Sequence, residues 1–76
     1  MKPDAFVVVT CFPGEEDKTK KFLNEIPQVK ESNFVKGAFD ILIKIKTSSA
    51  YELREMLWKI RNFPSVRATL TLNLDD

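Results

Sequence analysis

Hydrophobic and polar positions along the chain change period several times, and each change marks an element. Residues 5–12 read AFVVVTCF, a β-branched and aromatic run closed by the turn pair Pro13-Gly14, which predicts a first strand. Glu15, Glu16 and Asp17 follow, acids that suit a helix N-terminus. Thr19, Phe22, Leu23 and Ile26 then fall at i, i+3, i+4 and i+7, one face of a helix that Pro27 stops. Residues 29–36 are polar and weakly alternating, as an edge strand should be, and Gly37 marks a tight turn. In 39–46, FDILIKIK, Phe39, Ile41, Ile43 and Ile45 share one face of a third strand, and Asp40, Leu42, Lys44 and Lys46 the other. Ser49-Ala50-Tyr51-Glu52 is a capping box, and Leu53, Met56, Leu57 and Ile60 form the stripe of the second helix that it opens. After Pro64 comes a fourth strand, 66–74. Its alternation predicts Val66, Ala68, Leu70, Leu72 and Leu74 toward the helices, with Arg67, Thr69, Thr71 and Asn73 on the open side.

The order βαββαβ is also a repeat, because Ile26-Pro27-Gln28-Val29 recurs thirty-seven residues later as Phe63-Pro64-Ser65-Val66. Two right-handed βαβ units of this kind interleave into one antiparallel sheet with both helices on one face. The expected architecture is thus α+β and ferredoxin-like, a single domain over 1–76 with strand order 4-1-3-2. The opposite sheet face is left bare. A sheet with one solvated face should alternate apolar and polar residues, yet the central first strand is apolar on both sides. Phe6, Val8 and Leu42 on the bare face predict a partner, most simply a second copy stacked sheet against sheet across a twofold.

Size points the same way. Seventy-six residues bury only about 60% of their unfolded surface, so a core of this size usually needs a staple. A single cysteine, Cys11, rules out an internal disulfide, and the lack of histidine removes ordinary zinc, copper and haem sites along with histidine-based catalysis. Oligomerisation is the remaining staple, and no metal or cofactor is expected. Twelve Lys and Arg against eleven Asp and Glu leave a net charge of +1, without the basic excess of a stand-alone nucleic-acid binder. The longest apolar run, 5–9, is far short of the ~20 residues of a membrane span. A free thiol fits a reducing cytoplasm. Cys11 reads as a buried structural residue, and Lys18, Lys20 and Lys21 as a solvated helix face.

These pieces resemble the ligand-binding and oligomerisation (RAM) domain of Lrp/AsnC transcription regulators. The resemblance rests on Pro27 and Val29 opening strand two, on the turn and strand Gly37-Ala38-Phe39-Asp40-Ile41-Leu42, and on Val66, Thr69, Thr71 and Leu74 in strand four. It covers 5–74. Full-length members carry a helix-turn-helix domain ahead of this one. Only 1–4 precede strand one here, so the likeness is to the stand-alone members, and Phe39 stands where a tyrosine is common. The resemblance implies dimers through the sheets, rings of dimers, amino-acid effectors bound between dimers, and partnership with a full-length regulator rather than direct contact with DNA.

The residues themselves suggest where such an effector would sit. With the Phe39 and Val66 stripes toward the helices, Asp40, Thr69 and Thr71 are expected on the same open face. Strand three's start and strand four's end are expected at one edge, putting Asp40 ~10 Å from Thr71 across two strand spacings. An α-amino acid needs acceptors for its ammonium, which Asp40 offers. It needs donors for its carboxylate, which the threonine hydroxyls and the amides around Gly37 and Phe39 offer. The same residues also have plain structural roles: Asp40 as a turn cap, the threonines as strand formers, and Gly37 as a turn residue. Tyr51 and Trp58, seven apart on helix two and flanked by Arg54 and Arg61, have the composition of a surface for higher assembly, or of one amphipathic patch. Three other uses of the fold compete: an ACT-like amino-acid-binding domain, which pairs side by side, an RNA binder using the sheet face, for which Phe6 is an aromatic but strand three offers only Asp40 and Leu42 before its lysines, and a cofactor-free dimeric α/β-barrel oxygenase. The oxygenase needs reactive polar groups, and the chain offers no histidine and one isolated tyrosine. The expected function is that of an effector-binding module, not an enzyme.

Overall fold

The computed structural model describes residues 4–35 and 40–73. Six elements follow one another: β1 (Asp4–Cys11), α1 (Glu16–Asn24), β2 (Val29–Val35), β3 (Asp40–Lys46), α2 (Ala50–Arg61) and β4 (Val66–Asn73). The strands form one antiparallel sheet in the order β2-β3-β1-β4, the expected 4-1-3-2 read from its other edge. The Gly37 turn, Phe39 and Leu74 lie outside the described residues.

Period-two burial on the central strands creates the core. Ala5, Val7, Val9 and Cys11 of β1 and Ile41, Ile43 and Ile45 of β3 are buried on one side. Ala5, the two valines and the three isoleucines pack with Leu23 and Ile26 from the α1 half and with Ile60 and Val66 from the α2 half. α1 lies against β2 and β3, and α2 against β4. Two polar contacts fasten α1 to edge strand β2: Ser32 Oγ donates to Asn24 Oδ1 at 2.6 Å, and the Lys20 ammonium sits 4.7 Å from the centre of the Phe34 ring.

The internal repeat is physical. Ile26 N donates to Leu23 O and Val29 N to Ile26 O; thirty-seven residues on, Phe63 N donates to Ile60 O and Val66 N to Phe63 O, all at 2.9–3.1 Å. Each helix therefore leaves through the same proline-containing turn. The halves meet where the Phe22 and Phe63 rings stack with centroids 3.8 Å apart. The capping box also forms, one residue stretched: Glu52 N donates to Ser49 Oγ at 3.1 Å, while the Glu52 carboxylate accepts from Ser48 N at 2.7 Å rather than from the cap's own amide.

β4 departs from expectation. Cys11 pairs with Val66 and Thr10 with Ala68, so Arg67 is an extra residue, a bulge. Because side chains alternate with period two, one extra residue turns every later side chain to the opposite face. Val66 faces the helices as expected. Beyond the bulge, Thr69 pairs with buried Val9 and Thr71 with buried Val7, so both threonines lie on the helix side. Ala68, Leu70 and Leu72 pair with Thr10, Val8 and Phe6 on the open side, where Leu70 is 61% and Leu72 49% exposed. The expected facing of strand four is therefore correct for Val66 and reversed from Ala68 to Leu72.

Candidate functional site

Pairing across four strands sets the open face out in rows. Glu31, Lys44, Phe6 and Leu72 lie side by side; next come Asn33, Leu42, Val8 and Leu70; then Val35, Asp40, Thr10 and Ala68. The β2 side is mostly polar and the β1–β4 side mostly apolar. Phe6, Val8 and Leu42, expected on this face from the sequence, are on it, half-buried, and Leu70 and Leu72 extend their patch to the β4 edge. That extension was hidden in the sequence, because the alternation of strand four fits either facing and only the bulge at Arg67 selects one.

The residues expected to hold an effector are not brought together. Asp40 is on the open face, half-buried, and its Oδ1 accepts a 2.7 Å hydrogen bond from the hydroxyl of its cross-strand neighbour Thr10. Thr69 and Thr71 are on the opposite face. β3 and β4 both run antiparallel to β1 and so start at the same end of the sheet, which puts Asp40 level with Ala68 at the beginning of β4. Thr71 lies three residues further along, about 10 Å at ~3.3 Å per residue. Gly37 and Phe39 are outside the described residues. Thr10, the partner the sequence reading missed, was legible only as the polar break in an apolar strand.

A shallow cleft of about 330 Å³ lies at the other end of the sheet, lined by Lys30, Lys46, Thr47, Ser48 and Glu52. The amide of Ser48, the side-chain amide of Gln28 and the Ser48 hydroxyl, in that order of weight, hold the Glu52 carboxyl below the usual carboxylate range. Its acceptors thus serve Ser48 at the start of α2 and Gln28 ahead of β2.

Cys11 is buried, and burial pushes its thiol up, against the smaller opposing pull of the Thr19 side chain. A protonated thiol in that setting is no nucleophile. Thr19 Oγ1 donates to Glu15 O at 2.7 Å and meets Ser65 Oγ at 2.5 Å, so this buried polar cluster is satisfied internally. Tyr51 and Trp58 stand out from α2 at 69% and 68% exposure, with Arg54 and Arg61 exposed beside them. Among the described residues no cluster of His, Cys, Asp or Glu could hold a metal ion, and no helix is long and apolar enough to cross a membrane.

Comparison with known proteins gives this face its context. The family model of the Lrp/AsnC ligand binding domain matches residues 4–73, and the chain belongs to that family. A proline dehydrogenase transcriptional activator of Rhizobium radiobacter is 35% identical over 71 residues, 88% of this chain and 46% of that protein. The HTH-type transcriptional regulator FL11 of Pyrococcus horikoshii is 29% identical over 68 residues, 90% of this chain and 45% of that protein. The chain thus spans about half the length of the curated relatives it matches. The crystal structure of FFRP-DM1 superposes with a TM-score of 0.90 at 28% identity, covering 96% of this chain and 99% of that one. The family is one of regulatory domains, and both relatives are transcriptional regulators, not enzymes.

Proposed function

We propose that the chain is an amino-acid effector-binding and oligomerisation module that acts in the cytoplasm on transcription regulators of its own family. The observation that carries this reading is the sheet face that no described element covers. Phe6, Val8, Leu42, Leu70 and Leu72 form one apolar patch there, in a domain of a ligand-binding family. Two copies stacked through that patch make the dimer. Dimers assemble further, with Tyr51 and Trp58 as the second contact, and a full-length regulator joins through the same surfaces without the chain touching DNA. The effector sits at the Asp40 end of the sheet. Asp40, oriented by Thr10, takes its ammonium, and the amides expected from the sequence around Gly37 and Phe39 take its carboxylate. Thr69 and Thr71 contact no ligand atom on that face, because they project from the opposite one.

Native mass spectrometry against a panel of amino acids tests both halves of this reading, since it reports stoichiometry and bound ligand together. A dimer or a multiple of it with one effector per chain is expected. A monomer with no retained amino acid would reject both halves.

A further inference from the structure

The two edges of the sheet are built differently. β2 carries Lys30 and Glu31 and has its own bulge, Lys30 being the extra residue between Val29 and Glu31. Charges and bulges of this kind are how natural edges avoid pairing with other strands. β4 has such a guard only at its start, where Arg67 bulges. From Ala68 to Asn73 it reads ATLTLN, with no charge, no proline and no further irregularity in its pairing with β1. The apolar patch also reaches this edge without a polar rim, since its outermost members are Leu70 and Leu72.

We propose that this edge pairs with the same edge of a second copy, antiparallel about Leu70, continuing the sheet from one chain into the next. The segment is self-complementary in that register. Leu70 meets Leu70, each Ala68 meets a Leu72 on the open face, and each Thr69 meets a Thr71 on the helix side. Threonine pairs and aliphatic pairs directly opposite one another are favourable cross-strand neighbours. A shift of one residue would set leucine against threonine across the join and mismatch the faces of the two sheets. The twofold makes the contact isologous, so it closes at two copies rather than propagating. The pairing satisfies the outward-pointing backbone groups of β4 and extends the apolar patch across the join, independently of any effector.

Two measurements test it. In the wild-type protein, the outward-pointing alternate amides of 68–73 should exchange with deuterium as slowly as the inward ones that bond to β1. Thr71→Lys places a charge on the helix side of the edge, clear of the open face. It should speed the outward set by about tenfold or more and leave the inward set slow. The second is a disulfide. Thr69→Cys chains mixed with Thr71→Cys chains should cross-link under oxidation faster than either chain alone. Cys11 is buried, and the helix-side positions are blind to a dimer stacked through the open face. Fast outward exchange in the wild type, slow exchange that survives Thr71→Lys, or no preference for the mixed disulfide overturns the proposal. If Thr71→Lys fails to fold, the cysteine pair decides alone.

Discussion

Asp40 and Thr71 carry the same kind of chemistry in the sequence and end on opposite sides of a sheet, which makes them a sharp pair to vary. Asp40→Asn keeps an acceptor for the Thr10 hydroxyl but removes the charge. Loss of a charge-assisted hydrogen bond costs roughly 1.5–3 kcal/mol. Calorimetry should therefore find effector affinity lowered about tenfold to hundredfold, at unchanged oligomeric state. Thr71→Val, on the helix side, should leave that affinity unaltered. Equal binding by wild type and Asp40→Asn would place the ammonium elsewhere, and a clear loss in Thr71→Val would contradict the facing set by the bulge. The polar character of Asp40, Thr69 and Thr71 was legible residue by residue. Their grouping was not, because face depends on register and register depends on one extra residue, Arg67.

At the scale of elements, local rules account for nearly everything. Both helices stop at the turns their prolines announce, and α2 starts at its Ser49 cap. Removing that cap with Ser49→Ala should destabilise the fold by about 1 kcal/mol in denaturant titration. Glu52 adds a pH dependence of known sign. Its carboxyl lies below the usual range in the folded state, so its contribution is present above the pKa of the unfolded carboxylate. That contribution is lost as pH falls through the lower, folded value. Stability should thus decline on acidification more steeply in the wild type than in Glu52→Gln, and parallel acid profiles would show that the Ser48 contacts contribute nothing measurable. β4 is the element the pattern misassigned. Its alternation is strong, but alternation fixes only that neighbouring side chains oppose one another, not which set meets the core.

On the scale of the whole molecule, one face of the sheet has its helices, and no described element covers the other. Leu42→Lys puts a charge into the middle row of the open face. If two copies stack there, burying it unpaired costs at least ~2–3 kcal/mol, roughly a hundredfold in dissociation constant. Sedimentation should show that weakening. Unchanged association would move the dimer contact off this face. The net charge of +1 leaves few phosphates to be neutralised, so no shift of duplex DNA is expected at ~0.1 M salt. A tight, salt-sensitive complex there would reject the reading of an assembly module that leaves DNA contact to a partner.

By itself the sequence determined the elements, their order, the strand order of the sheet and the side of β1 and β3 that meets the helices. Each of these follows from periodicity, proline placement and the chirality of βαβ connections, which are properties of short stretches of chain. Tertiary structure decided the facing of β4, the Thr10–Asp40 pair and the reach of the apolar patch to the sheet's edge. These depend on how two distant strands align, and that alignment turns on a single bulge, which leaves Val66 beneath the helices and turns Leu70 and Leu72 outward.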